Sequence, residues 1–289
     1  MLTIAAITNL DLKHWDIVAA FVNGHLSESV YMRQPIGFED GTSRVCLLKS
    51  SLYSLCQSAR AWYQRLDEIL AQIGWKRLHS DYVIWTGPNK DEFVGAHVDD
   101  MAVAARKSTR SSLKRHFRKY LSVTNLRDLH LYVGLQISRN RDLNAIYLSQ
   151  SDYTRKVLKM FSMETCNAVT TPLIPYSKVS TTPLLDENGK KQYQRLIGCL
   201  LYLMHCTRPD LAHAVIKLSQ FAAAPQQHHW EDIKCILRYL RVTTEARLIL
   251  GNRDPDNNLI GFFDAAHGDA VDRRSTGGYI FLYHGSPIS

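Results

Sequence analysis

The sequence lacks any apolar run long enough to cross a bilayer. Its most apolar stretch, Leu196–Met204, has nine residues, where a helical span needs about 20. The opening MLTIAAITNLDLKHW offers neither a basic n-region nor a cleavage site, so the chain reads as neither secreted nor membrane-bound. Its six cysteines (Cys46, Cys56, Cys166, Cys199, Cys206, Cys235) form no C-x-x-C pair and no finger spacing. That argues against a zinc or disulfide framework and for free, mostly buried thiols in an intracellular compartment, cytoplasm or nucleus. No internal repeat is visible, and 45% hydrophobic against 21% charged residues excludes a disordered chain. Acid is in deficit: 35 Lys and Arg face 27 Asp and Glu, for a net charge of +8, which suits a polyanionic partner. At 289 residues the chain holds two domains, or one large domain with an appendage.

The stretch EFVGAHVDDMAVAA, Glu92–Ala105, sets two apolar runs, Phe93–Val98 and Met101–Ala105, around the adjacent Asp99 and Asp100. It reads as a tight β-hairpin with the carboxylates at or beside its bend. Two readings stand there: turn formers bonding their own backbone, or oxygen ligands for a divalent metal. Upstream, HWDIVAAFVNG reads as a buried strand through Trp15, Ile17, Val18 and Phe21–Val22, closed by Asn23-Gly24. Asp16 inside that run is either a hydrogen-bonded structural residue or a ligand, because a buried carboxylate needs compensation.

The 3–4 spacing of Trp62, Leu66, Ile69, Leu70 and Ile73 predicts a helix over Ser58–Ile73, ended by Gly74. A second helix, capped by Ser108, turns Leu113, Phe117 and Leu121 inward and a basic face outward. That face is either a solvated surface or a seat for a phosphate backbone. Residues 131–137 alternate as a half-buried strand and return through Ala145–Leu148, followed by a helix capped at Ser151 or Asp152. Glu164–Lys191 loses all periodicity and holds Pro172, Pro175 and Pro183, as a linker does. Helices are expected at Tyr193–Cys206, from Pro209 to about Ala223, and at His229–Val242, with strand-like composition over Leu259–Tyr283 around Asp264 and Asp269.

Three carboxylates brought into one sheet repel unless a cation neutralises them, and Mg²⁺ accepts such ligands together with substrate phosphates. Asp16, Asp99 and Asp100 are thus compatible with nucleotidyl transfer, and equally with a structural turn beside a polar strand residue.

Several segments, in order, resemble the reverse transcriptases of copia-type LTR retrotransposons. HWDIVAAFVNGHLSESVYMRQPIGFE is similar to their first catalytic motif, SLYSLCQSARAWYQRLDEIL to their nucleotide- and template-gripping segment, and HVDDMAVAA to their Y-V-D-D hairpin. LYVGLQISRN, RLIGCLLYLMHCTRPDLAHAV, HHWEDIKCILRYL and DRRSTGGYIF resemble the regions that follow. The resemblance implies an α+β right-hand polymerase: partial fingers and palm over 1–163, a linker over 164–192, a helical thumb and connection over 193–250, and a truncated RNase H-like start over 251–289. It implies Mg²⁺ or Mn²⁺ held by Asp16, Asp99 and Asp100, with dNTPs and an RNA or DNA primer–template as substrates. By the same resemblance Phe21 is the aromatic gate under the incoming sugar, Gln57, Ser58 and Arg60 line the nucleotide and template site, and His97 stands where a Tyr contacts the primer. Taken alone, Phe21 also reads as a core aromatic.

The chain departs from the family pattern at Val18 (usually Lys), Ser54 (Gly), Cys56 (Lys), Ala59 (Pro) and His97 (Tyr). Asp264 matches the first ribonuclease H carboxylate, but Ala266 and His267 replace the family's next Asp and Trp, and both ends of the family's sequence are expected to be missing. RNase H activity is expected to be absent. The alternative to a polymerase is an inactive relic that binds nucleic acid or a protein without chemistry.

Overall fold

The computed structural model describes residues 1–173, 182–251, 259–268 and 275–289. The chain mixes α and β structure in two compact units, Met1–Tyr132 and Val133–Ser289. The first unit holds α1 (Leu2–Ile7), β1 (Asp11–Ile17), β2 (Tyr31–Met32), β3 (Cys46–Leu47) and α2 (Ser58–Ala71). It continues with β4 (Lys76–Arg77), β5 (Ile84–Thr86), β6 (Phe93–His97), β7 (Asp100–Ala105), α3 (Lys107–Phe117), β8 (Val123–Asp128) and β9 (Leu131–Tyr132).

Six of these strands form one antiparallel sheet in the order β4-β5-β6-β7-β1-β8. Side chains alternate between its faces. Trp15, Ile17, Val94, Ala96, Met101, Val103 and Ala105 pack into one cluster with Trp62, Leu66, Ile69 and Leu70 of α2 and Leu113 and Phe117 of α3. Each such large apolar side chain contributes about 1.5–3 kcal/mol on burial, which makes both helices the backing of a single sheet face. The opposite face carries His14, Asp16, His97, Asp100 and Ala102, by the pairings Asp16↔Asp100, His14↔Ala102 and His97↔Asp100.

Several local expectations need correction. The first strand is Asp11–Ile17 and stops before Val18; Ala19 at φ 51 reverses the chain, and Phe21 lies in a 3₁₀ turn over Ala20–Asn23. Gly24 follows because a Cβ there would meet Trp62 N at 2.9 Å and Ser51 Oγ at 2.8 Å. Ser108 does not cap α3. The helix begins one residue earlier, at Lys107, and the buried Glu92 accepts the Arg106 N–H at 2.8 Å. The alternation over 131–137 is broken by Val133 and Gly134, both at positive φ. The six cysteines are free as expected, but only Cys235 is buried.

The second unit contains β10 (Leu135–Asn140), β11 (Ala145–Ser149), α4 (Ser151–Met160), α5 (Glu187–Cys206), α6 (Ala212–Ser219), α7 (Gln227–Val242), β12 (Leu248–Gly251), β13 (Leu259–Ala266), β14 (Thr276–Tyr283) and β15 (Ser286–Pro287). Tyr193, Leu196, Ile197, Leu200, Leu203 and Met204 of α5 recur at helical spacing, and they pack with Leu211, Val215, Leu218, Ile233, Ile236, Leu237 and Leu240 in a second core. Gln150, rather than Ser151 or Asp152, stands at the N-cap of α4. Helix α5 starts at Glu187, inside the expected linker, because Asp186 caps it by accepting the Gly189 N–H at 2.8 Å. Arg208 is buried; it donates to both Asp210 oxygens (3.0 and 2.8 Å) and to the Thr243 carbonyl (3.0 Å), so the TRPD segment ties the start of the α6 region to the end of α7. The expected linker over 174–181 and Asp269 lie outside the described residues. Among the described residues no helix is long and apolar enough to cross a membrane.

Candidate active site

The hairpin of β6 and β7 has a two-residue turn, Val98–Asp99; Asp100 is already in the strand, opposite His97. Asp99 therefore lies in the bend and Asp100 beside it, as expected. Val98 has φ 55, a conformation a β-branched residue adopts only under constraint. That constraint comes from α2: the Trp62 indole N–H donates to Val98 O at 3.0 Å, and the Tyr63 hydroxyl accepts from Val98 N at 3.3 Å.

Asp16 stands directly across from Asp100, and Ile17 N donates to Asp99 O at 2.9 Å, so three carboxylate-bearing residues meet at one end of the sheet. All three are half-buried, Asp16 included, because the face they occupy is not covered by α2 or α3. Their side chains are already engaged. The Tyr53 hydroxyl donates to Asp99 at 3.0 and 3.1 Å. His14 Nε2 lies 2.9 Å from Asp100 Oδ1, a contact in which the ring N–H donates. Desolvation, then the hydrogen bond to Asp99 and the charges of Asp99 and Asp16, raise the Tyr53 pKa, so the phenol stays protonated as a donor. Among the described residues no three acidic, histidine or cysteine side chains converge closely enough to hold an ion.

The Tyr53 ring also packs on Phe21, with centroids 4.9 Å apart and planes at 55°, so the 3₁₀ turn, the hairpin turn and the segment before α2 meet at Tyr53. The description "reverse transcriptase (RNA-dependent DNA polymerase)" belongs to the family whose model matches residues 1–175. The chain belongs to the reverse transcriptase family. Over its full length it is 36% identical to the retrovirus-related Pol polyprotein from transposon TNT 1-94 of Nicotiana tabacum, of which it spans 23%. It is 33% identical to that from transposon RE1 of Arabidopsis thaliana, of which it spans 20%. Over 95% of its length it is 29% identical to the putative transposon Ty5-1 protein of Saccharomyces cerevisiae, 90% of which it covers. These are copia-type retrotransposon proteins, and the chain spans about a fifth of the two plant polyproteins it matches.

Within this reverse transcriptase chain, the other residues expected at the site separate. Gln57 stands at the N-cap of α2 and donates to Glu28 at 3.0 Å. Ser58 is buried and turned inward, its hydroxyl donating to Leu52 O. Arg60 is exposed on α2 and His97 is exposed at the end of β6. Val18 is 49% exposed beside Asp16. Asp264 sits in β13, exposed, its carboxylate accepting the N–H of its neighbour Ala265 at 2.9 Å. The residues missed were His14 and Tyr53. His14 had a signal, since it lies two residues before Asp16 on a strand and so shares its face. Tyr53 had none beyond its place in the gripping segment, because its contact with Asp99 joins positions 46 apart.

Proposed function

We propose that the chain carries RNA-directed DNA polymerase chemistry at the Val98–Asp99 turn, on a palm-like sheet, with the helical unit in the role of thumb and connection. The observation that supports this most is the register Asp16↔Asp100 with Asp99 adjoining, which brings hard oxygen donors to one end of the sheet face that α2 and α3 do not cover. The donor set fits a divalent cation such as Mg²⁺ or Mn²⁺. Asp16, Asp99 and Asp100 would hold it once Asp99 turns from Tyr53 and Asp100 from His14. Bound there, such an ion supplies the charge neutralisation and hydroxyl activation that phosphoryl transfer needs. The chain's own residues do the rest. Phe21, packed against Tyr53, would form a wall under the nucleotide sugar and disfavour a 2′-hydroxyl there. Gln57 and Arg60 at the start of α2 face the nucleotide and template. His97 flanks the primer end. Partners under this reading are dNTPs and an RNA or DNA primer–template.

The engagement of Asp99 and Asp100 by Tyr53 and His14 favours a second reading, a fold that binds nucleic acid without turnover. Primer extension on an RNA template with Mg²⁺ or Mn²⁺ separates the two. The polymerase reading expects incorporation that falls to background in Asp99→Asn; incorporation that is absent, or that survives the substitution, overturns it. For ribonuclease H the inference is the opposite: Asp264 is exposed in β13, with Ala266 and His267 at the next motif positions, and no cleavage of an RNA–DNA hybrid is expected.

A further inference from the structure

Between Asp100 and Asp128 the sequence carries eight Lys and Arg and not one acidic residue. That number equals the net charge of the whole chain, +8, so everything outside this stretch is electroneutral. The stretch folds as the end of β7, α3 and β8, and the structure gives part of its charge a definite shape. Lys107, Arg110, Ser111 and Lys114 recur at positions i, i+3, i+4 and i+7 of α3 and so share one face. With Lys13 and Trp15 of β1 they line a cavity of about 200 Å³.

The cavity is built rather than incidental. Its floor is the indole of Trp15, 1% exposed, stacked edge-on against Phe117 at 6.0 Å. Arg110 is fixed by Asp11 at 2.6 Å and by the Ala105 carbonyl at 2.9 Å. Lys13 is held by Asp128 at 2.5 Å, and the Ser111 hydroxyl donates to Lys107 O at 2.9 Å. Lys107 and Lys114 make no ion pair among the described residues and stand at the rim. Lys13 and Trp15 alternate along β1 with His14 and Asp16, so this cleft opens on the face of the sheet opposite the carboxylates.

We propose that this cleft is a second nucleic-acid site, which takes the phosphate backbone of a single strand, RNA or DNA, without reading its bases. Lys107 to Lys114 cover about 10 Å of helix axis, the length of about three phosphates of one strand. Two unpaired ammonium groups over a preorganised arginine suit successive phosphates of one strand, and a cavity of about 200 Å³ has room for one backbone, not two. The site does not depend on the polymerase reading, since none of its residues touches the hairpin turn.

The test is fluorescence anisotropy of labelled 20-nucleotide oligouridylate and oligothymidylate on the full chain, as a function of salt and without divalent metal. The double variant Lys107→Glu/Lys114→Glu is expected to weaken binding at least about fivefold and to flatten the log–log salt slope by about 1.4, or about 0.7 per phosphate released. Lys190→Glu/Lys191→Glu on α5 makes the same change in net charge and is expected to stay within about twofold of the parent, as a neutral control for long-range charge. Equal losses in the two variants, or no loss at the cleft, overturn the proposal. Lys107→Gln/Lys114→Gln, read beside far-UV circular dichroism, guards against a folding defect and is expected to fall between parent and charge reversal. Primer extension is measured separately on the Lys107→Glu/Lys114→Glu variant, so a failure of primer extension and a failure of the cleft are told apart.

Discussion

Near the proposed site Val98 at φ 55 and Ser54 at φ 75, like Ala19, sit where an L side chain is strained. Val98 and Ser54 differ in what holds them. Val98 is clamped by Trp62 and Tyr63, whereas Ser54 is exposed at the bend before α2. The glycine that the resemblance implies at position 54 would suit this backbone angle, which Gly adopts freely and other residues at a cost of about 1–2 kcal/mol. Ser54→Gly is therefore expected to stabilise the first unit by about 0.5–1 kcal/mol, after the extra entropy Gly gains when unfolded is subtracted. A rise in the urea midpoint at unchanged slope checks it; an unchanged or lower midpoint refutes it. That Asp16 would share a sheet with the Asp99–Asp100 hairpin was legible, because carboxylates in apolar runs are rare. Their partners were not: Tyr53 and His14 reach Asp99 and Asp100 across 46 and 86 positions, and no local pattern encodes such contacts.

At the scale of elements, strong periodicity was read well and weak periodicity was not. Helix α2 matches its apolar stripe to within two residues at its end. Strand β8 was missed because VTNLRD shows no alternation; it exists through its pairing with β1. The first strand was drawn too long, since nothing in the apolar run VAAFV announces the reversal at Ala19. The start of α7 carries a testable consequence. Gln226 N–H donates to His229 Nδ1 at 3.0 Å in a capping box, and the buried ring stacks on Phe221 at 3.8 Å. A proton on Nδ1 would set donor against donor. Burial, then the neighbouring His228, push the His229 pKa down to about 4 against the opposing pull of Asp232. An unfolded histidine titrates near 6.5, so between about pH 6.5 and 4 the unfolded chain binds a proton that the folded one refuses, and stability falls as pH falls. The helical signal in urea is expected to show this loss, and His229→Gln, which keeps an acceptor at the cap, to lessen it in that window. Parallel curves for parent and variant would refute the assignment.

For the whole molecule, the two cores share no residue. The first is drawn from positions 15–123 and the second from 153–240. Composition allowed two domains, and the ordered motifs indicated polymerase ancestry, but the division after Tyr132 was not legible, because the sequence change there is a two-residue backbone reversal rather than a linker. Four of the five tryptophans, Trp15, Trp62, Trp75 and Trp85, are buried in the first core, and Trp230 lies against the second. Intrinsic fluorescence therefore reports mainly on the first unit, while α4 to α7 supply much of the helical circular dichroism. Leu200 is fully buried at the centre of α5, and Leu200→Ala removes transfer free energy and opens a cavity at a cost of about 2–5 kcal/mol. With separate cores, that loss is expected in the helical signal alone: the ellipticity midpoint moves to lower urea while the tryptophan midpoint stays. Two midpoints that move together by the same amount would show that the units unfold as one, whatever the composition of their cores.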